Sequence, residues 1–355
     1  MSAPIHIENF EISDQTPVFI IAEAGVNHNG DITKAKQLID AAKAAGADCV
    51  KFQTFRAEEI VTSQAPKANY QLKVTDPEES QLEMLKKLEL SETTFRELKE
   101  YADRAKILFL STPYGFHDVD LLENLGVSAF KIASGQIVEY PFLTYLAQKG
   151  KPMILSTGMA TLDEVRKAVE TIRPINNQII LLQCTTNYPS LAEDTHLRSM
   201  NAMGNEFNVK VGYSDHTVGR LAILGAVALG ARVIEKHFTL GKTLPGPDHS
   251  CSMDPTEFKH LVSDIRTMER MLGNTLKQPS IAESRNSQGM RRSLTSTRFI
   301  PKGTRLTADM LTFKRPATGI PPRDLPHILG IRTHVDSLLL ELERSQFPQL
   351  EMFGI

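Results

Sequence analysis

The sequence predicts an α/β fold: a (β/α)8 barrel followed by a small, β-rich C-terminal domain. Three observations carry this. Between Val18 and Gly273 a short apolar run, a polar turn and an amphipathic stretch recur eight times. The runs are nearly continuous in apolar residues, as parallel strands covered on both faces require. No G-x-G-x-x-G follows the first run, and eight units suit a closed barrel better than an open doubly wound sheet.

In order, the strand runs are VFIIAEA from Val18, CVKFQ from Cys49, ILFLS from Ile107, AFKIAS from Ala129, PMILS from Pro152, IILLQC from Ile179, VKVGYS from Val209 and RVIEKHF from Arg232. Between them lie segments such as DITKAKQLIDAAKAAGA and TLDEVRKAVETI, whose apolar residues fall at helical spacing. Asp31 and Thr161 stand where N-caps belong, and Asn29-Gly30 in the NHNGD run makes a turn. The second unit is much longer than the rest. Its excess, EEIVTSQAPKANYQLKVTDPEES, is polar, carries two prolines and reads as a functional loop.

The barrel is expected to span residues 1–274, with a linker at 275–290 that lacks an apolar period and a second domain at 291–355. That domain has strand-like runs RSLTSTRFI and RLTADMLTF, turns at PKG and TGIPP, and a hydrophobic SLLLELE stretch.

The chain has 355 residues, a formal charge of -2 and no basic cluster, which counts against nucleic acid as a partner. Cys49, Cys184 and Cys251 are isolated, so a reducing compartment without disulfides is expected. The N-terminus lacks the pattern of a signal peptide. The most apolar stretch, Leu221–Ile234, is too short and interrupted to span a membrane. These features predict a cytoplasmic protein.

In such a barrel the chemistry sits at the C-terminal ends of the strands. Those ends carry Glu23; Lys51 and Gln53; Ser111 and Thr112; Lys131 and Ser134; Ser156 and Thr157; Cys184, Thr185 and Thr186; Ser214, Asp215 and His216; Glu235 and His237. For any single Ser or Thr, a solvated mouth is the plainer reading. The lysines inside VKFQ and FKIAS are different, because an ammonium in an apolar strand is costly without a partner. Two lysines and a ring of hydroxyls suit a doubly charged phosphate or carboxylate. His216 and His237 end adjacent strands, with Asp215 and Glu235 nearby. They point to a divalent ion with open positions, Mn²⁺, Mg²⁺ or Co²⁺. Asp248, in PGPDHS, is placed either to cap a turn or to bind sugar hydroxyls.

The ordered set FIIAEAGVNHNGD, VKFQTF, LSTPY, FKIASG, ILSTGMAT, LLQCTTNYPS, GYSDHT, ALGARVIEKHFTL and GPDHS resembles the N-acetylneuraminate synthase family, which includes the legionaminic and pseudaminic acid synthases. RRSLTSTRFIPKGTRLTADMLTFKRPATGI resembles that family's antifreeze-like (SAF) domain. The resemblance implies a homodimer in which each small domain covers the partner's barrel mouth. It also implies that Lys51, Thr112, Lys131, Ser134, Ser156, Thr186 and Ser214 hold phosphoenolpyruvate. His216 and His237 would bind the metal, and Gln53, Tyr188, Glu235 and Asp248 would contact the sugar. Arg315 would reach the sugar's N-acyl group from the other subunit. Thr186 replaces the Asn of some members, and Gln136 stands where most carry an acidic residue. The final ERSQFPQLEMFGI does not match the family ending.

The expected function is condensation of phosphoenolpyruvate with an N-acyl hexosamine and release of phosphate. Glu23 or Glu235 would handle the proton. The APKANYQ loop resembles members acting on N-acetylmannosamine or on a 2,4-diacetamido hexose. The first choice is N-acetylmannosamine, giving N-acetylneuraminate. The alternative is a 2,4-diacetamido-trideoxy hexose, giving N,N'-diacetyllegionaminic acid. A Schiff-base aldolase using Lys131 or Lys51 is a more distant rival, and a non-catalytic carbohydrate or ice binder is a third class.

Overall fold

The computed structural model describes residues 3–68, 71–73, 75–76, 78–336 and 342–343. Asn69 and Tyr70 of the APKANYQ loop, the SLLLE part of SLLLELE, and all of the final stretch after Glu343 lie outside the described residues. The chain divides into two compact units, Met1–Gly273 and Asn274–Ile355.

The first unit holds eight parallel strands: β1 (Phe19–Gly25), β2 (Cys49–Thr54), β3 (Leu108–Pro113), β4 (Phe130–Ile132), β5 (Met153–Ser156), β6 (Ile179–Cys184), β7 (Lys210–Asp215) and β8 (Val233–His237). They pair in the order β3-β2-β1-β8-β7-β6-β5-β4. First and last strands lie side by side, from Val233 opposite Phe19 to His237 opposite Glu23, as in a barrel. Among the described residues the paired ladder is interrupted only at the seam between β3 and β4.

Strand geometry explains the continuous apolar runs. Successive side chains point to opposite faces, and both faces are covered. Ile20, Ala22, Val50, Phe52, Leu155 and Ile234 pack outward under the helices. Phe19, Ile21, Leu108, Leu110, Ile154, Ile180, Leu182 and Val233 point inward and form a separate cluster with Ile5, Ile7 and Ile12. The last three belong to a short hairpin, Ile5–Ile7 with Phe10–Ile12, that closes the barrel floor. No pattern in the sequence marks this hairpin for that place. Each large aliphatic side chain so buried contributes roughly 1.5–3 kcal/mol.

Local signals place the helices. Asp31 caps Ile32–Ala45 by accepting from the backbone N–H groups of Thr33 and Lys34, and Gly46 ends it at φ 89°. Thr161 and Glu164 form a capping box on Leu162–Ile172. The long excursion after β2 is not a plain loop: it contains helices Ala57–Ile60 and Gln81–Lys86, the latter with a Ser80–Glu83 capping box.

In the second unit, strands Ser293–Ser296 and Leu311–Lys314 pair antiparallel. Both are shorter than the runs RSLTSTRFI and RLTADMLTF suggested, because Ala308–Met310 winds into a 3₁₀ turn. The core there is Leu294, Ile300, Leu306, Ile320, Ile328 and Leu342. Residues 281–290, read as part of a linker, form a helix started by a Ser280–Glu283 capping box. None of its residues is buried, so no apolar stripe marked it in the sequence. No helix among the described residues is long and apolar enough to cross a membrane.

Candidate active site

The strand ends open into a cleft of about 570 Å³. Glu23, Lys51, Gln53, Thr112, Lys131, Ser134, Ser156, Cys184, Thr186, Tyr188, Ser214, His216, Glu235, His237 and Asp248 all line it. The Ala57–Ile60 and Gln81–Lys86 excursion supplies one wall, through Glu59, Ile60, Met84 and Leu85. Arg315 belongs to the smaller unit and is exposed there.

The buried lysines are partnered as their cost demands. Lys51 Nζ lies 2.6 Å from Glu23 Oε2 and 3.8 Å from Glu235 Oε2, and donates to Thr112 Oγ1 at 3.0 Å. Lys131 Nζ donates to Ser156 Oγ at 2.7 Å and to the Ile132 carbonyl at 3.2 Å, with Glu235 Oε1 at 3.7 Å. Gln53 donates to Glu23 at 3.0 Å, and Ser214 donates to Glu235 at 3.1 Å. An unpaired charge at this depth would cost several kcal/mol.

The carboxyls are not equivalent. Burial pushes Glu23 up, beyond what Lys51 offsets, and the charge of Glu235 adds to the rise. Burial acts the same way on Glu235, but Lys131 and Lys51 outweigh it and hold that carboxyl below the ordinary range. Lys51 is raised, because Glu23 and Glu235 overcome its burial, whereas burial lowers Lys131. The floor thus sets two lysines beside two carboxyls in unlike surroundings, Glu23 paired with Lys51 and Glu235 facing both lysines.

Beside the lysines is a hydroxyl cradle. Gly158 N donates to Ser134 Oγ at 3.0 Å, and Cys184 Sγ lies 3.1 Å from the same oxygen. A Cβ on Gly158 would stand 2.2 Å from Thr186 Oγ1, so only glycine admits this close approach.

On the other side, the His216 and His237 rings lie 5.4 Å apart, and Tyr188 packs 4.1 Å from His216 and 5.5 Å from His237. Burial keeps both imidazoles neutral, pushing His216 down to about 4 and His237 well below its usual value. His216 Nδ1 lies 2.6 Å from the Thr185 carbonyl and so is the protonated nitrogen, which leaves the Nε2 lone pair free. His237 Nδ1 is buried without a hydrogen bond, 3.6 Å from Asp248 Oδ2. Asp248 is pushed up to about 7 by burial and by the charge of Glu23. Two neutral imidazoles with available nitrogens fit a divalent ion that takes its remaining ligands from water and substrate. Among the described residues no cluster of three or more ligating side chains completes such a site.

Several strand-end residues named from the sequence face elsewhere, because alternate side chains point out of the barrel. Ser111 bonds Thr54, Thr157 bonds the Leu182 carbonyl and Thr185 bonds the Asp194 carbonyl. Asp215, expected near the metal, instead pairs with Lys236 at 2.6 Å behind the histidines. Lys236 was missed, although a lysine inside RVIEKHF is the same signal as those in VKFQ and FKIAS. Gln136 lines the cleft as well. Its side-chain oxygen accepts from Ala133 N at 3.2 Å, and its amide nitrogen donates to the Tyr114 carbonyl at 3.4 Å. An ionised carboxylate could not make the second bond. Tyr114, the last residue of LSTPY, also lines the cleft with its phenol raised by burial, although nothing in the sequence singles it out within that motif.

A family model described as the NeuB family matches residues 38–277. The chain belongs to the NeuB family. The SAF domain model matches residues 291–336 of this NeuB family chain. The chain is 47% identical to N,N'-diacetyllegionaminic acid synthase of Legionella pneumophila, over 88% of this chain and 90% of that protein. It is 38% identical to human N-acetylneuraminate-9-phosphate synthase, over 93% and 94%. The solved N-acetylneuraminic acid synthetase of Leptospira borgpetersenii superposes with a TM-score of 0.72 at 34% identity, covering 81% of this chain and 95% of that one. The resemblance read from the motifs is borne out. The NeuB family chain is an enzyme of the sialic and legionaminic acid synthase type.

Proposed function

We propose that this enzyme condenses phosphoenolpyruvate with a 2,4-diacetamido-trideoxy hexose, forming N,N'-diacetyllegionaminic acid and phosphate. The carrying observation is the two-lysine, five-hydroxyl floor within a chain 47% identical to a legionaminic acid synthase. The first expectation, N-acetylmannosamine, is the weaker reading, since the N-acetylneuraminate-9-phosphate synthase relative stands at 38%.

In this reading Lys51 and Lys131 hold the phosphate and carboxylate of phosphoenolpyruvate, with Thr112, Ser134, Ser156, Thr186 and Ser214 as oriented donors. Gln53, Tyr188, Glu235 and Asp248 contact the sugar. His216 and His237 would hold a divalent ion, which when bound polarises the sugar's aldehyde oxygen. C3 of phosphoenolpyruvate forms the new bond to the aldehyde carbon, and water adds at C2. The bridging C–O bond then breaks, so phosphate leaves with the bridging oxygen. Glu235, held ionised by its lysines, suits the proton acceptor, and Glu23 the donor.

The resemblance's dimer belongs to the same proposal, with Arg315 of a partner chain selecting the N-acyl carbonyl. A mixed dimer of Arg315→Ala and Lys131→Ala would then carry one intact site and recover activity. No recovery, with subunit exchange verified, removes that role.

Product mass spectrometry with phosphoenolpyruvate and each of the two sugars tests the substrate. Faster turnover of N-acetylmannosamine would overturn the choice. Bridging-¹⁸O phosphoenolpyruvate should place its label in phosphate. The aldolase rival draws on the lowered Lys131, and borohydride with pyruvate should leave the chain unlabelled if that rival fails.

A further inference from the structure

The NHNGD turn explains itself locally as a turn and a cap, yet two of its side chains leave the turn and cross to the loop after β8. Asn27 Nδ2 donates to the Phe238 carbonyl and to Ser252 Oγ, both at 2.9 Å, and Ser252 Oγ donates to the Asp248 carbonyl at 2.6 Å. Asn29 Nδ2 donates to the Pro245 carbonyl at 2.7 Å. With that end of the amide spent as donor, Asn29 Oδ1 faces His249 Nε2 at 3.2 Å, so Nε2 carries the proton. His249 Nδ1 then accepts from Thr239 Oγ1 at 2.6 Å. The chain runs from the β1 turn through His249 to the end of β8.

The loop needs such support. Residues 241–248 contain no helix or strand; one main-chain bond, from Leu244 N to the Gly241 carbonyl at 3.3 Å, lies within them, and others secure the base, from Thr239 N to the Met253 carbonyl and from Met253 N to the His237 carbonyl. Gly246, at φ 143°, passes so close that a Cβ would stand 2.8 Å from Asn29 Oδ1. Asn27, His249 and Ser252 are almost wholly buried, so water does not replace their bonds, whereas half-buried Asn29 makes its bond to Pro245 at the surface.

We infer that Asn27, Asn29 and His249 are positioning residues which hold Asp248 over the cleft, making the first strand's turn a determinant of sugar binding rather than of phosphoenolpyruvate binding. This rests on the proposed sugar contact of Asp248. The lysine floor lies on other strands and shares none of these bonds.

The test separates the turn from the pin. Asn29 has φ 52°, which glycine accepts freely, so Asn29→Gly keeps the turn and deletes both side-chain bonds. It should raise KM for the amino sugar roughly tenfold and leave KM for phosphoenolpyruvate unchanged. Trypsin should cut after Lys242 faster. Asn29→Asp keeps the acceptor for His249 and should fall between. Asp248→Asn is the control for the underlying reading. If it raises sugar KM while Asn29→Gly does not, the positioning role is wrong. If Asn29→Gly raises both KM values alike, or lowers the melting temperature sharply, its role is general support and the inference fails. If Asp248→Asn changes nothing, the sugar contact itself is removed. Faster trypsin cleavage with unchanged sugar KM in Asn29→Gly would leave a pinned loop without a part in specificity and would also overturn the inference.

Discussion

The lower and upper halves of the barrel interior are built on the same eight strands and obey opposite rules. Two residues up a strand, Ile21 gives way to Glu23, Cys49 to Lys51, Leu110 to Thr112, Ala129 to Lys131, Ile154 to Ser156 and Val233 to Glu235. Below, the side chains need only fill volume, and the Ile5, Ile7 and Ile12 hairpin seals them from water. Above, each charge survives burial because another strand supplies its partner, an adjacent one for Lys51 with Glu23 and one across the barrel for Lys131 with Glu235. Period-2 geometry lets a single strand serve both, so stability and chemistry are separated by about 7 Å along the chain.

The sharpest break in this comparison concerns the histidines. His216→Ala and His237→Ala should each abolish turnover, and exhaustive chelation should do the same reversibly. Full activity after chelation would take the ion out of the mechanism.

Carrying the lower rule into the upper half comes next. Lys131→Met replaces an ammonium with an apolar chain of similar length. It should lower kcat/KM by on the order of 10³ with far-ultraviolet circular dichroism unchanged. A loss under tenfold would mean the floor is not an electrostatic site.

The converse probe is Leu182→Ala in the lower cluster. It should cost about 2–5 kcal/mol of stability in denaturant titration and leave both KM values in place. A selective rise in either KM would show that the two halves are coupled.

The smallest effect contrasts a buried carboxyl that has a cation with one that lacks it. Glu235 is held down by two lysines, whereas Asp118, near the mouth, is pushed up to about 6 by burial, which outweighs the Gly115 and Tyr114 backbone donors. Between the ordinary 3.8 and about 6, the unfolded chain has lost this proton and the folded chain keeps it. Asp118 therefore makes stability fall as pH rises through that window, and the loss persists above it. Asp118→Asn keeps an acceptor for Gly115 N, which donates at 2.8 Å. It should flatten that part of the profile, measured as melting temperature at pH 4.5 and 7. An unchanged slope would assign the pH dependence to other groups.

Legibility in the sequence followed the distinction between local and cross-strand causes. The strands, the Asp31 and Thr161 caps and the Asn29-Gly30 turn were readable, since each depends on residues within a few positions. The Ile281–Met290 helix was not, because its start signal is local but it buries nothing. Lys51 and Lys131 stood out as charges in apolar runs. Lys236 shared the signal yet faces outward, and its pairing with Asp215 emerges only when β7 and β8 lie side by side.

By itself, then, the sequence determined the alternation that makes a barrel, the end of the barrel where the polar groups gather, and the motifs that place the chain in its family. Those are properties of spacing along one chain. The tertiary structure alone decided which strand-end side chains share the cleft, how the surroundings of the two buried glutamates differ, and that the β1 turn grips the Asp248 loop. Such outcomes depend on burial and on neighbours more than 200 residues apart, as Asn29 and Pro245 are, and no pattern along the chain encodes their distance.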